Sequence, residues 1–186
     1  MALVTWEEFV ELPDDDRREL IDGVLVEVEV PNRVHERIVA KLCQLLCNWA
    51  EQSDHGAEII ASGYKVRISK YRGLMPDVQL FRSNNPALDD EKYDIALHEG
   101  RPDLAIEILS PSSVRYDRVK KREWYKSIGV PEYWIIAPKN RFLERFVLEG
   151  EHYVQMDVLD ESGILRPSTF PGLEIPIVRL FRRASA

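Results

Sequence analysis

The sequence predicts an α/β domain: a central mixed sheet with helices on its faces. Three observations carry that expectation. From Asn32 to about Gln52, apolar residues recur at the i, i+4, i+8 spacing of an amphipathic helix. Two short apolar runs, Ala105–Leu109 and Tyr133–Ile136, bracket a basic helical segment. Turn signals at Asp22-Gly23 and Glu149-Gly150 each separate stretches with strand character. Strand runs interspersed with helical runs favour layered α/β packing.

The elements follow in chain order. Thr5 can cap a short helix over Trp6–Leu12, with Glu8 as its capping-box partner. Asp14-Asp15-Asp16 reads as a solvated turn. Glu19–Val28 reads as a hairpin turning at Asp22-Gly23. Asn32 caps the long helix, whose stripe is Val34, Ile38, Leu42, Leu45, Leu46 and Trp49. Strands are expected near Glu58–Ala61 and Tyr64–Ile68, and a further one after Met75-Pro76-Asp77. Residues 84–101 are polar, with Pro86 and Asp89-Asp90, and read as a loop holding a short helix. After the Glu107 strand, the basic helix and the Trp134 strand, Phe142–Leu148 and His152–Met156 form a hairpin. The C-terminal stretch carries Pro167, Pro171 and Pro176 and is expected to be irregular.

Bulk properties narrow the function. The 186 residues suit one domain, 1–186, with a real core. Hydrophobic residues make up 45% and charged residues 31%, as in an ordinary globular protein. The net charge of −7 argues against indiscriminate coating of DNA, which needs many cationic phosphate contacts, but leaves room for a local basic site. Cys43 and Cys47 lie one helical turn apart and read as core thiols, and two cysteines supply no disulfide framework. No apolar run reaches about 18 residues and no leader pattern opens the chain, so a cytoplasmic location without membrane insertion is the expectation.

The chemistry concentrates around two acids. Glu107 stands inside an apolar strand, where a carboxylate is costly unless paired or bound to a metal. It is followed by the turn Ser110-Pro111-Ser112-Ser113 and then by Arg115, Arg118, Lys120, Lys121, Arg122 and Lys126. Asp77 opens the other strand. Alternation places Gln79 on the face of Asp77, and Asp103 on the face of Glu107. Magnesium binds through one or two carboxylates, waters and substrate phosphate oxygens, so Asp77 and Glu107 on neighbouring strands suffice as protein ligands. A lysine close by would offset charge on the reacting phosphate; Lys121 is the candidate, and its neighbour Lys120, about 100° round the helix, is the alternative. The serines after Glu107 read as turn and cap residues, and Trp124, Tyr125, Tyr133 and Trp134 as core.

The combined runs Glu19-Leu20-Ile21-Asp22-Gly23, His35, Pro76-Asp77-Val78, Pro102–Ser112, Tyr116-Asp117-Arg118 with Lys121, and Gly129–Trp134 resemble the Uma2 family over roughly residues 5 to 178. That family is grouped with PD-(D/E)XK restriction-endonuclease-like nucleases. The resemblance implies a restriction-endonuclease-like fold with a central mixed β-sheet flanked by helices. It also implies metal-binding acids at Asp77 and Glu107, a Mg²⁺ or Mn²⁺ cofactor, and nucleic acid, DNA first, as substrate. The usual pattern sets Lys two residues after the second acid, where this chain has Leu109; the resemblance implies that the lysine is carried instead by the following helix, at Lys121. Glu19, His35, Gln79 and Asp103 are accessory candidates. Superfamily members often pair, so a homodimer is the expectation. The rival readings are a noncatalytic DNA- or protein-binding module on the same fold, and a metal-dependent hydrolase of another substrate.

Overall fold

A computed structural model of the chain describes residues 2–13, 16–28, 30–52, 56–61, 63–88, 96–97, 100–110 and 116–182. Asp14-Asp15, Asp89-Asp90, Pro111-Ser112-Ser113 and Arg115 lie outside them.

Helix α1 (Trp6–Val10) has both halves of the expected capping box, with Thr5 and Glu8 bonding each other's backbone amides. Its Trp6 and Phe9 are fully buried. Strands β1 (Arg18–Ile21) and β2 (Val24–Glu27) form the expected hairpin. Asp22 and Gly23 hold φ of 51° and 79°, the left-handed pair that a tight hairpin requires. Helix α2 (Arg33–Gln52) begins where Asn32 Oδ1 accepts from the amides of Val34 and His35. Ile38, Leu42, Leu45, Leu46 and Trp49 are buried as expected, but Val34 is 39% exposed and leaves the stripe in the first turn. Cys43 and Cys47 are half-buried free thiols, and burial raises the Cys43 pKa.

Strands β3 (Glu58–Ala61), β4 (Lys65–Ser69), β5 (Arg72–Leu74), β6 (Val78–Phe81), β7 (Ala96–Leu97) and β8 (Leu104–Ile108) follow. Among the described residues of the predicted loop, Pro86–Leu88 form a 3-10 turn and Ala96–Leu97 the short strand β7. The predicted basic helix is less regular than expected: among the described residues a π-helical stretch, Tyr116–Lys121, runs into α3 (Arg122–Ser127). Strands β9 (Glu132–Ala137), β10 (Phe142–Glu149) and β11 (His152–Asp160) complete the main sheet. The C-terminal stretch is not irregular. It forms β12 (Ile164–Leu165), β13 (Ile175–Pro176) and α4 (Ile177–Phe181). Its Leu165, Phe170, Leu173, Ile175 and Leu180 enter the largest core cluster, so tertiary burial organises a segment whose prolines break any local pattern.

Among the described residues, β11-β10-β9-β8-β6-β3 make a six-stranded mixed sheet and β2-β1-β5-β4-β7 a five-stranded one. Only β8 and β9 in the larger sheet run parallel, and the 116–127 segment supplies their crossover. Helix α2 covers one face of that sheet over Val78, Leu80, Leu104, Ile106 and Ile108. The other face packs Ala105, Tyr133 and Ile135 against Tyr125 of α3 and Leu74 of the smaller sheet. Every residue of β8 and β9 is buried. Glu132, fully buried in β9, accepts from Arg145 Nε at 2.7 Å and Trp134 Nε1 at 2.6 Å, which binds β9 to β10 internally.

Candidate active site

Glu107 belongs to a strand whose other residues are apolar and buried on both faces, and its own side chain is only 3% exposed. Its charge is answered from the crossover. Lys121 Nζ lies 3.1 Å and 3.2 Å from the two Glu107 oxygens. Lys121 is 5% exposed, whereas Lys120 lies at the surface. The one-residue ambiguity in the basic run is thereby resolved in favour of Lys121. Leu109, at the position where the lysine usually stands, is a core residue beside Tyr125 and Val130.

A second buried acid joins from the smaller sheet. Glu19 of β1 is 5% exposed, and its Oε1 accepts from Lys121 Nζ at 2.9 Å and from the Met75 amide at 3.1 Å. One ammonium group therefore sits between two carboxylates at the junction of the sheets. Tyr125 completes the group: its hydroxyl donates to Glu107 Oε1 at 2.7 Å. Burial, then the neighbouring Glu107 charge, raises the Tyr125 pKa well above the ordinary tyrosine range, so it remains a proton donor. The sequence places Tyr125 only in the core and leaves this hydroxyl unassigned. Its spacing of four from Lys121, one helical turn along the same face, was the available signal.

Asp77 stands one residue before β6, and Asp77 Oδ2 accepts the Ile108 amide at 2.7 Å. The carboxylate so caps the end of β8 next to Glu107. Its Oδ1 is 3.1 Å from His35 Nε2 in the first turn of α2. Burial works to lower the His35 pKa, but the hydrogen bond and charge of Asp77, helped by Glu36, outweigh it and raise the value. The shared face predicted for Asp77 and Gln79 is not kept. Asp77 lies in a bend before the strand, where alternation no longer holds, and turns toward α2. Gln79 faces the opposite way, opposite Ala105, and donates to the Tyr64 carbonyl at 2.9 Å.

Asp103 is placed elsewhere. It precedes β8 at the end away from Glu107, about 13 Å along the strand at about 3.3 Å per residue. Its Oδ2 accepts from the Arg82 amide at 2.8 Å and Asn85 Nδ2 at 2.7 Å, so it organises the turn after β6. The structure thus gathers Glu19, Glu107, Lys121 and Tyr125 in one cluster, and sets the Asp77–His35 pair beside it through Ile108.

The donors available to a metal are carboxylate oxygens, the chemistry that Mg²⁺ and Mn²⁺ accept. Among the described residues, no three His, Cys, Asp or Glu side chains are arranged to hold an ion. The fit therefore rests on Asp77 and Glu107 with waters and phosphate oxygens, a set that Mg²⁺ tolerates. An ion would compete with Lys121 and Tyr125 for Glu107, and with His35 for Asp77.

A family model described as "Uma2: Putative restriction endonuclease" matches residues 6–178. No curated protein matches. A crystal structure of a protein from Anabaena variabilis ATCC 29413, described as a putative nuclease belonging to DUF820, has a TM-score of 0.77 and 21% identity, covering 96% of this chain and 97% of that one. At that identity the likeness establishes the fold.

Proposed function

The chain belongs to the Uma2 family, and from that premise we propose that residues 1–186 form a metal-dependent endonuclease that hydrolyses nucleic-acid phosphodiester bonds. Asp77 and Glu107 hold Mg²⁺ or Mn²⁺, and Lys121 assists. The observation that carries this reading is the buried Lys121 ammonium within hydrogen-bond reach of Glu107, delivered by the crossover although Leu109 occupies the usual lysine position.

A bound divalent ion supplies Lewis acidity and an activated water. The remaining work falls to the chain. Lys121 brings a positive charge beside the acids, where negative charge accumulates on the phosphate as its bond to the leaving oxygen breaks. Tyr125 holds one Glu107 oxygen, and Glu19 holds Lys121 from the other side. His35 and the Ile108 amide orient Asp77. Gln79 and Asp103 contribute to strand and turn geometry. DNA is the proposed substrate, a homodimer the proposed assembly by analogy with the superfamily, and the cytoplasm the proposed location. Among the described residues no helix is long and apolar enough to cross a membrane.

One observation favours the second reading, a noncatalytic DNA- or protein-binding module on the same fold. Both Glu107 oxygens are already engaged by Lys121, and one also by Tyr125. Calorimetric titration of Mg²⁺ and Mn²⁺ into the wild type and Glu107→Gln, followed by incubation with supercoiled and single-stranded DNA, separates the two. Metal binding and nicking that both vanish in Glu107→Gln support the nuclease. Metal binding without cleavage points to a hydrolase of another substrate. No metal binding at millimolar concentration leaves the binding module.

A further inference from the structure

A cavity of about 430 Å³ lies where the start of α2, the β9–β10 turn and the end of α4 meet; Val34, Arg37, Pro138, Arg141, Phe181 and Arg182 line it. Three of these six residues are arginines, in a chain of net charge −7. Arg141 pairs with Glu161 at 2.5 Å, and its guanidinium lies 5.7 Å from the Phe181 ring centroid. Among the described residues, Arg37 and Arg182 form no ion pair, and the buried Arg37 Nε has no hydrogen-bond partner. Among the described residues, three guanidinium groups face one carboxylate, a net positive lining. A buried donor without an acceptor is costly, and a ligand that supplies acceptor oxygens and negative charge would satisfy it. Planar arginine forks match phosphate oxygens.

The pocket's position says which phosphate. In the larger sheet the neighbours run β6, β8, β9, β10. Asp77 opens β6 and Ile108 ends β8; Pro138 follows β9 and Arg141 precedes β10. Given their directions, all four lie along one edge of the sheet. Strands about 4.8 Å apart put Arg141 about 14 Å from Asp77, three strand spacings away. That is about four rises of 3.4 Å along one DNA strand. Helix α2 contributes to both ends, since His35 reaches Asp77 and Arg37 lines the cavity.

We propose that the Arg37–Arg141–Arg182 pocket binds a backbone phosphate of the nucleic acid a few nucleotides from the scissile bond, and so sets where the strand lies. This rests on the nuclease reading for the identity of the ligand, but the binding it describes needs no metal and no catalysis. An acidic protein would then hold its substrate by a local clamp and not by a broad basic surface.

The test uses the full chain in EDTA. Anisotropy of labelled duplex and single-stranded DNA is followed from 50 to 200 mM salt for wild type, Arg37→Gln, Arg141→Gln and the double variant, and inorganic phosphate is titrated calorimetrically. Losing one phosphate contact lowers the slope of log K against log salt by about 0.9 for duplex, which is about an eightfold loss of affinity at 0.1 M salt. That loss is expected in the double variant and in part in each single variant. Arg141 is exposed, so its replacement tests the idea even if Arg37→Gln perturbs folding. Unchanged affinity and slope in a folded double variant would overturn the proposal. So would phosphate binding that disappears in the double variant while DNA binding stays, because the pocket would then serve a free anion. DNA binding lost in the double variant, with no cleavage by the wild type under any metal, would uphold the clamp and remove the nuclease.

Discussion

Replacing Lys121 by Met is the most informative single perturbation, because it leaves two buried carboxylates facing each other. Lys121 Nζ is 2.9 Å from Glu19 and 3.1 Å from Glu107. At an effective dielectric of about 20, each contact is an attraction of about 5 kcal/mol. Desolvation of the ammonium and carboxylates opposes most of that sum. Breaking a buried pair by removing one partner costs about 3–5 kcal/mol, mainly because the other charge stays buried without compensation. Urea unfolding reads this directly. With an m-value near 3 kcal/mol/M, the midpoint should fall by about 1 to 1.7 M at pH 7. Lys120→Met, at an exposed neighbour, should stay within about 0.5 kcal/mol. A Lys121→Met loss under about 1 kcal/mol would refute the buried cluster, since that is the behaviour of a solvated lysine.

Four further outcomes are expected. Tyr125→Phe removes a donor to a charged acceptor and should cost about 1.5–3 kcal/mol in urea unfolding; a neutral effect would mean that Glu107 is not held by the phenol. The raised His35 pKa gives the metal-free protein stability that is complete below about pH 6.5 and lost as pH rises through the raised folded value, so wild type and His35→Gln should converge across that window. Parallel stability–pH curves for the two would contradict the His35–Asp77 pair. Asp103→Ala should destabilise through the turn at Arg82 and Asn85 while leaving DNA cleavage unchanged, and a folded variant that cannot cleave would return Asp103 to the site. At Gly73 an added Cβ would fall 2.5 Å from the Trp6 ring and 2.8 Å from Phe9, so Gly73→Ala should lower stability by about 1–3 kcal/mol in a thermal melt.

Patterns that repeat locally translated well into structure. The capping box at Thr5 and Glu8, the Asp22-Gly23 turn, the Asn32 cap and the Glu58–Ala61 strand are all present. Each depends on groups within a few residues, so its energetics are written in neighbouring letters. Strand β5, with three residues around Gly73, carried no such signal, and it exists because β1 and β4 pair with it on either side. The C-terminal β12, β13 and α4 were hidden by prolines for the same reason.

The chemical core divides in the same way. Glu107 was legible because a carboxylate in an apolar strand demands a counter-charge and a basic crossover follows at once; that Lys121 and not Lys120 meets it depends on how that crossover packs. The partnership of Glu19 with Lys121 was not, since 102 positions separate them and nothing in the hairpin sequence states which sheet it packs beside. Tyr125 hid among aromatic core residues because its hydroxyl is decided by what lies opposite it. The turn of Asp77 away from Gln79 depends on a bend that ends the alternation. Sequence alone determined which residues bear unusual charge for their setting, because burial and hydrogen-bonding penalties act on each residue type wherever it sits. Only the tertiary structure decided which of those charges meet. Contacts within about 3 Å across a sheet junction and along one sheet edge arise from strand order and register, and those are properties of the whole packed core.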